Sequence, residues 1–167
     1  RAIGPASHAI MRPSALRDKA EAAGFTDAVN YLATGNLIFG SRRSAGIVQR
    51  EITALVESFG LHTSEVFIAT AAEIGALVTA SPFPEATATH PAHVGVCFFH
   101  KPLPWPEALL EPASGEAVAP IGSCVVIDYG PGGTFSKLNP EKLTGATMTQ
   151  RNWNTVLGIW SRMQDRR

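Results

Sequence analysis

Cysteine is scarce. The chain has two, Cys97 and Cys124, each inside an apolar run that reads as a strand. Neither has the spacing of a metal site or a redox pair, so both are expected as buried, reduced thiols. An excess of either charge is missing as well: fourteen Lys plus Arg balance fourteen Asp plus Glu, and the pI is near 7.1. No global field draws such a chain toward nucleic acid or anionic lipid, and a site for an anion has to be local. Apolar runs stay far below the ~20 residues of a membrane span, and the first residues carry no apolar signal-peptide core. A soluble, cytoplasmic protein is the expectation. His8, His62, His90, His93 and His100 are scattered. His90 and His93 are three apart, but they lie in a Pro-flanked segment with no cysteine or carboxylate cluster, so no metal site is assigned. Nucleophilic triads and paired carboxylates are absent as local motifs, and Asp128 and Glu141 stand too isolated in sequence to be given roles. No cofactor is specified.

What is present is a chain of 167 residues, 45% hydrophobic, long enough for one substantial core or two small subdomains. Its most strongly patterned stretch is 147–164. At about 100° per residue, Trp153, Val156, Leu157, Trp160 and Met163 fall on one side of a helix, and Arg151, Asn154, Thr155, Gly158 and Arg162 on the other. Thr149 is the expected N-cap, which puts Arg151 in the first turn, facing an acidic side chain or a bound anion. Further helices are expected over 14–23, after Pro13 and before Gly24, over 45–59, over 71–78, and as one short turn at 106–110. Strands are expected at 28–33 and 37–40, joined as a hairpin through Thr34, Gly35 and Asn36, and at 63–69, 93–100, 116–119 and 124–129.

Ten of the twelve prolines follow residue 81. The stretch S-P-F-P-E-A-T-A-T-H-P is expected to hold no helix, because each Pro removes a donor and restricts its predecessor. It is read as a linker over 81–92, dividing a first subdomain at 1–80 from a second at 93–167. The mixture of strands, helices and hairpins in each half indicates an α+β fold with antiparallel sheets. The first half fits a strand-helix-strand-strand-helix-strand plait if an opening strand precedes Arg1, or a permuted order. The second half reads as an incomplete or permuted plait, one strand short.

Loops carry function more often than strands, which singles out three sets of polar groups: Arg1, Ser7 and His8; Thr34 and Asn36; Ser136 and Lys137. A His beside a Ser suits acid–base work, although no nearby carboxylate orients it. Thr34 and Asn36 are most simply a hairpin tip, with Gly35 supplying positive φ and Asn36 bonding its own backbone. The run P-G-G-T-F-S-K at 131–137 fails the G-x-x-x-x-G-K-[ST] spacing of a phosphate loop.

Three motifs occur in order along the chain: T-G-N-L-I-F-G-S from Thr34, F-S-K-L ending at Leu138, and R-N-W-N-T from Arg151. With A-L-R-D-K-A-E-A-A-G-F-T-D-A-V after the first loop, they make the sequence similar to the bacterial Domain of Unknown Function 1697 family. Family members commonly open with L-R-G-I-N-V-G-G, whereas this chain reads R-A-I-G-P-A-S-H and so lacks the Gly-Gly. The resemblance implies a pair of ferredoxin-like plaits, an upstream strand that belongs to the fold, and no established reaction. It also directs attention to a shared cleft between the two plaits. There Arg1 and Arg151 would hold a small polar or anionic molecule, Asn36, Asn152 and Asn154 would orient it, and Lys137 would add charge at the rim. Catalysis is left open. The alternative is a non-catalytic interaction module in which R-N-W-N-T pins the terminal helix to the sheet. RNA binding ranks third, since N-L-I-F-G does not match the aromatic pattern of RNA-binding plaits.

Overall fold

A computed structural model describes residues 10–32, 35–62, 64–133 and 136–165. The chain forms two compact units, Arg1–Ala69 and Thr70–Arg167.

In the first unit, α1 (Pro13–Ala22) leads into the hairpin β1 (Thr26–Tyr31) and β2 (Asn36–Gly40), followed by α2 (Ala45–Glu57). Proline at the start of α1 loses nothing, since its missing N–H would have no partner in the first turn. The apolar positions of the two helices face each other across a core of Met11, Leu16, Ala20, Phe25, Val48, Ile52 and Val56. Residues 64–69, expected as a strand, have no ladder among the described residues. Alternation lets a segment lie extended with one side on the core, and Val66 and Ile68 do pack there, but a strand also needs a paired neighbour. Gln49 on α2 donates to the Val66 carbonyl at 3.1 Å and ties the segment down.

The second unit carries the larger sheet. Its elements are α3 (Ala71–Ala80), α4 (Pro84–Thr89), a 3-10 turn (Pro91–His93), β3 (Val94–Phe99), α5 (Glu107–Leu110), β4 (Ala117–Ile121), β5 (Cys124–Asp128), α6 (Pro140–Thr144), β6 (Met148–Asn152) and α7 (Trp153–Gln164). The sheet runs β4-β5-β3-β6 with every pair antiparallel. Numbered within the unit, this is 2-3-1-4, the order of a strand-helix-strand-strand-helix-strand plait with all four strands present. The strand that sequence reading lacked is β6. Its residues M-T-Q-R-N show no apolar alternation, because an edge strand has one neighbour and its polar side chains reach water. The helical spacing of the residues after it runs backwards over it and masks it.

One further correction follows from the local sequence. The proline-rich stretch does hold a helix, α4, because Pro84 occupies its first turn and no proline follows until Pro91, beyond its end. Helix α3 belongs to the second unit, where it packs on α7. A capping box starts it: the Thr70 hydroxyl accepts from the Glu73 N–H while the Glu73 carboxylate accepts from the Thr70 N–H.

Central strand β3 is covered on both faces. Cys97 and Phe99 join Leu109, Val125 and Ile127 in one cluster, while Val94 and Val96, which point the other way, are fully buried too. Cys97 and Cys124 are free, and burial pushes both thiols up, to about 12 and about 11. Both therefore stay protonated at neutral pH, as structural apolar residues do. Among the described residues no helix is long and apolar enough to cross a membrane.

Candidate functional site

The β4–β5 hairpin of the large sheet brings several polar groups together. β4 and β5 pair with Ala117 opposite Asp128, so the residues that lead into β4 and those that leave β5 lie side by side. Between these chain segments is an open recess of about 500 Å³. Ser114, Gly115, Glu116 and Ala117 line one side, and Asp128, Tyr129, Gly130, Gly132, Gly133, Ser136 and Lys137 the other.

Its acidic groups are held in different ways. Ser114 Oγ donates to Glu116 Oε2 at 2.5 Å, and Ser136 donates to Glu116 Oε1. Those bonds, Ser114 first, hold the Glu116 carboxyl below the usual carboxylate range. Ser136 Oγ also accepts from the Leu138 N–H at 3.1 Å, so one hydroxyl fixes both the turn and the carboxylate. Asp128 accepts from the Gly130 N–H at 2.8 Å, and His90 Nε2 lies 2.9 Å from the same oxygen, Oδ1. On the far side of that imidazole, Nδ1 lies 2.8 Å from Thr89 Oγ1. Tyr129 donates to Gln150 Oε1 at 2.9 Å, and burial pushes its phenol up. Gly133 is required where it stands: a Cβ there would meet the His93 ring at 2.6 Å, so the loop passes the imidazole only without a side chain. Among the described residues no three His, Cys, Asp or Glu side chains are grouped to hold a metal ion.

The candidates read from sequence separate into several places. Arg1, Ser7, His8 and Thr34 lie outside the described residues. Asn36 opens β2 in the first unit and donates from Nδ2 to the Tyr31 carbonyl at 2.9 Å, work that closes the hairpin. Ser136 and the exposed Lys137 are together in the recess, whose lining includes neither Arg151, Asn152 nor Asn154.

Those three lie at the junction of β6 and α7. Arg151 is a strand residue opposite Val96 and not part of a helical first turn. Its guanidinium donates to Thr149 Oγ1 at 2.9 Å and to the Gln150 carbonyl at 2.8 Å, and desolvation lowers its pKa. The N-cap of α7 is Asn152, three residues after the expected Thr149: Asn152 Oδ1 accepts from the Thr155 N–H at 2.9 Å and from the Thr155 hydroxyl at 2.8 Å. Thr155 is consequently buried although its spacing puts it on the polar side, while Asn154 is exposed. Asn152→Ala should cost about 1 kcal/mol through loss of this cap. Urea unfolding checks it, and a loss below about 0.3 kcal/mol would show that the bond contributes little.

The family described as Protein of unknown function (DUF1697) matches residues 1–121. The chain belongs to the DUF1697 family. The matched part covers T-G-N-L-I-F-G-S and the recess wall from Ser114 to Ala117, and ends before F-S-K-L and R-N-W-N-T. The opposite wall of the recess, from Asp128 to Lys137, therefore lies outside the part matched to DUF1697. Neither a curated protein nor a solved structure matches the chain.

Sequence reading missed Glu116, Asp128 and His90. Asp128 and His90 are 38 positions apart and Glu116 and Ser136 are 20 apart, so no local motif joins them. Hairpin register was the available signal, because a two-residue turn at Gly122 and Ser123 dictates that 117 faces 128.

Proposed function

We propose that this protein binds a small polar molecule in the recess between the chain leading into β4 and the chain leaving β5. One observation carries the reading: Glu116, Asp128, Ser136 and Lys137, far apart in sequence, line a single concave surface. Pockets with a few convergent polar groups are the ordinary form of a small-molecule site. Ser136 and Lys137 would contact the ligand, and Glu116 and Asp128 would fix its orientation.

A thermal-shift panel of phosphorylated, carboxylated and amino-bearing compounds on the whole chain tests it. A ligand at about 100 times its Kd adds about 2.7 kcal/mol and raises Tm. At least one class should do so, with a smaller shift for Lys137→Met. No shift from any class at millimolar concentration would sink the reading.

The geometry at β6 and α7 favours a second one. Asn152 caps α7 and Trp153 is buried, so the bonds of R-N-W-N-T support the interaction-module alternative, in which the motif is structural. A panel without any shift would leave that alternative standing.

A further inference from the structure

We propose that the recess recognises a primary amine in a molecule that also bears an acidic group, a narrower class that rests on the recess being a binding site. Two carboxylates and one lysine line it, and they are not equivalent. Each oxygen of Glu116 already takes a serine hydroxyl. Asp128 takes both of its donors, His90 Nε2 and the Gly130 N–H, on Oδ1. Its Oδ2 has no donor among the described residues and is not a buried atom, so on a residue that lines the recess this oxygen is an open acceptor. A carboxylate oxygen in that setting is best matched by a charged N–H donor.

Lys137 makes no ion pair with Glu116 or Asp128 among the described residues, although all three line one recess. Opposite charges are thus held apart. A purely anionic ligand would meet two carboxylates, and a purely cationic one would leave Lys137 unmatched. A ligand carrying both signs matches both ends, and the wrong classes are rejected by repulsion as well as by missing contacts. His90 acts as a positioning residue. Bonded through Nε2 to Asp128, with Nδ1 beside Thr89, it keeps Oδ1 occupied and leaves Oδ2 for a ligand.

Isothermal titration of the full chain with three probes decides between the classes: O-phosphoethanolamine, ethanolamine and glycerol 3-phosphate. O-phosphoethanolamine should bind about tenfold or more tighter than either single-function probe. Asp128→Asn should abolish its advantage over glycerol 3-phosphate, and Lys137→Met its advantage over ethanolamine. Equal binding of glycerol 3-phosphate overturns the amine assignment, as does absence of O-phosphoethanolamine binding while another compound in the panel binds; in both cases the recess remains a site. If neither probes nor panel bind, the recess reading falls too. Should Asp128→Asn fail to fold, Lys137→Met at its exposed position and the probe comparison on the unaltered chain still separate the classes.

Discussion

Trp153→Ala should destabilise the second unit by about 3–5 kcal/mol, the range for truncating a large aromatic side chain in a core that cannot collapse around the gap. Trp153 is 3% exposed and is the first residue of α7, directly after the Asn152 cap. That helix packs against β3 and β6, and α3 packs on it in turn. Alanine's better helix propensity offsets only a few tenths of a kcal/mol. Urea unfolding followed by far-UV circular dichroism measures the loss, and Trp153→Phe should recover part of it. A cost below about 1 kcal/mol would mean that the indole leaves no cavity and that α7 is held elsewhere.

In the first unit the comparable change is Phe25→Ala, again about 3–5 kcal/mol. Phe25 is 2% exposed and packs edge-to-face on Phe39 with ring centroids 4.7 Å apart. The Arg43 guanidinium lies 4.9 Å from the same ring, while Arg43 Nη2 donates to the Ala23 carbonyl at 2.8 Å and Nη1 pairs with Glu51 at 2.8 Å. Removing the ring therefore opens a cavity and takes away the face on which the guanidinium rests, adding to the burial term. Retention of the cooperative denaturation midpoint by Phe25→Ala would refute this account.

Much of the fold could be read from the residues because it rests on local signals. Pro13, Gly24, the apolar spacing in 45–59 and the apolar runs at 94–99 and 124–128 each act within one turn or one strand. The structure has elements at all of those places. Failures came where a neighbour decides. The strand β6 has little apolar pattern of its own and is made by pairing with β3. Its presence moves the cap of α7 from Thr149 to Asn152 and turns Arg151 from a helix residue into a strand residue. The segment 64–69 failed in the opposite sense, having the alternation of a strand but no ladder among the described residues.

The candidate site divides in the same way. Ser136 and Lys137 were visible as polar loop residues, since a loop that interrupts apolar runs has to reach the surface. Asp128 looked isolated and Glu116 was read only as the start of a strand, because His90 and Ser136, which bond to them, come from other elements.

By itself, then, the sequence determined an α+β chain, the places of most of its helices and strands, and the family, because side-chain periodicity and turn chemistry act over a few residues. Only the tertiary structure decided that M-T-Q-R-N completes the larger sheet and that Glu116, Asp128, Ser136 and Lys137 share one recess. Apart from the hairpin turn at Gly122 and Ser123, those juxtapositions depend on which strands pair and where loops return, contacts between residues far apart in sequence that no short stretch of side chains spells out.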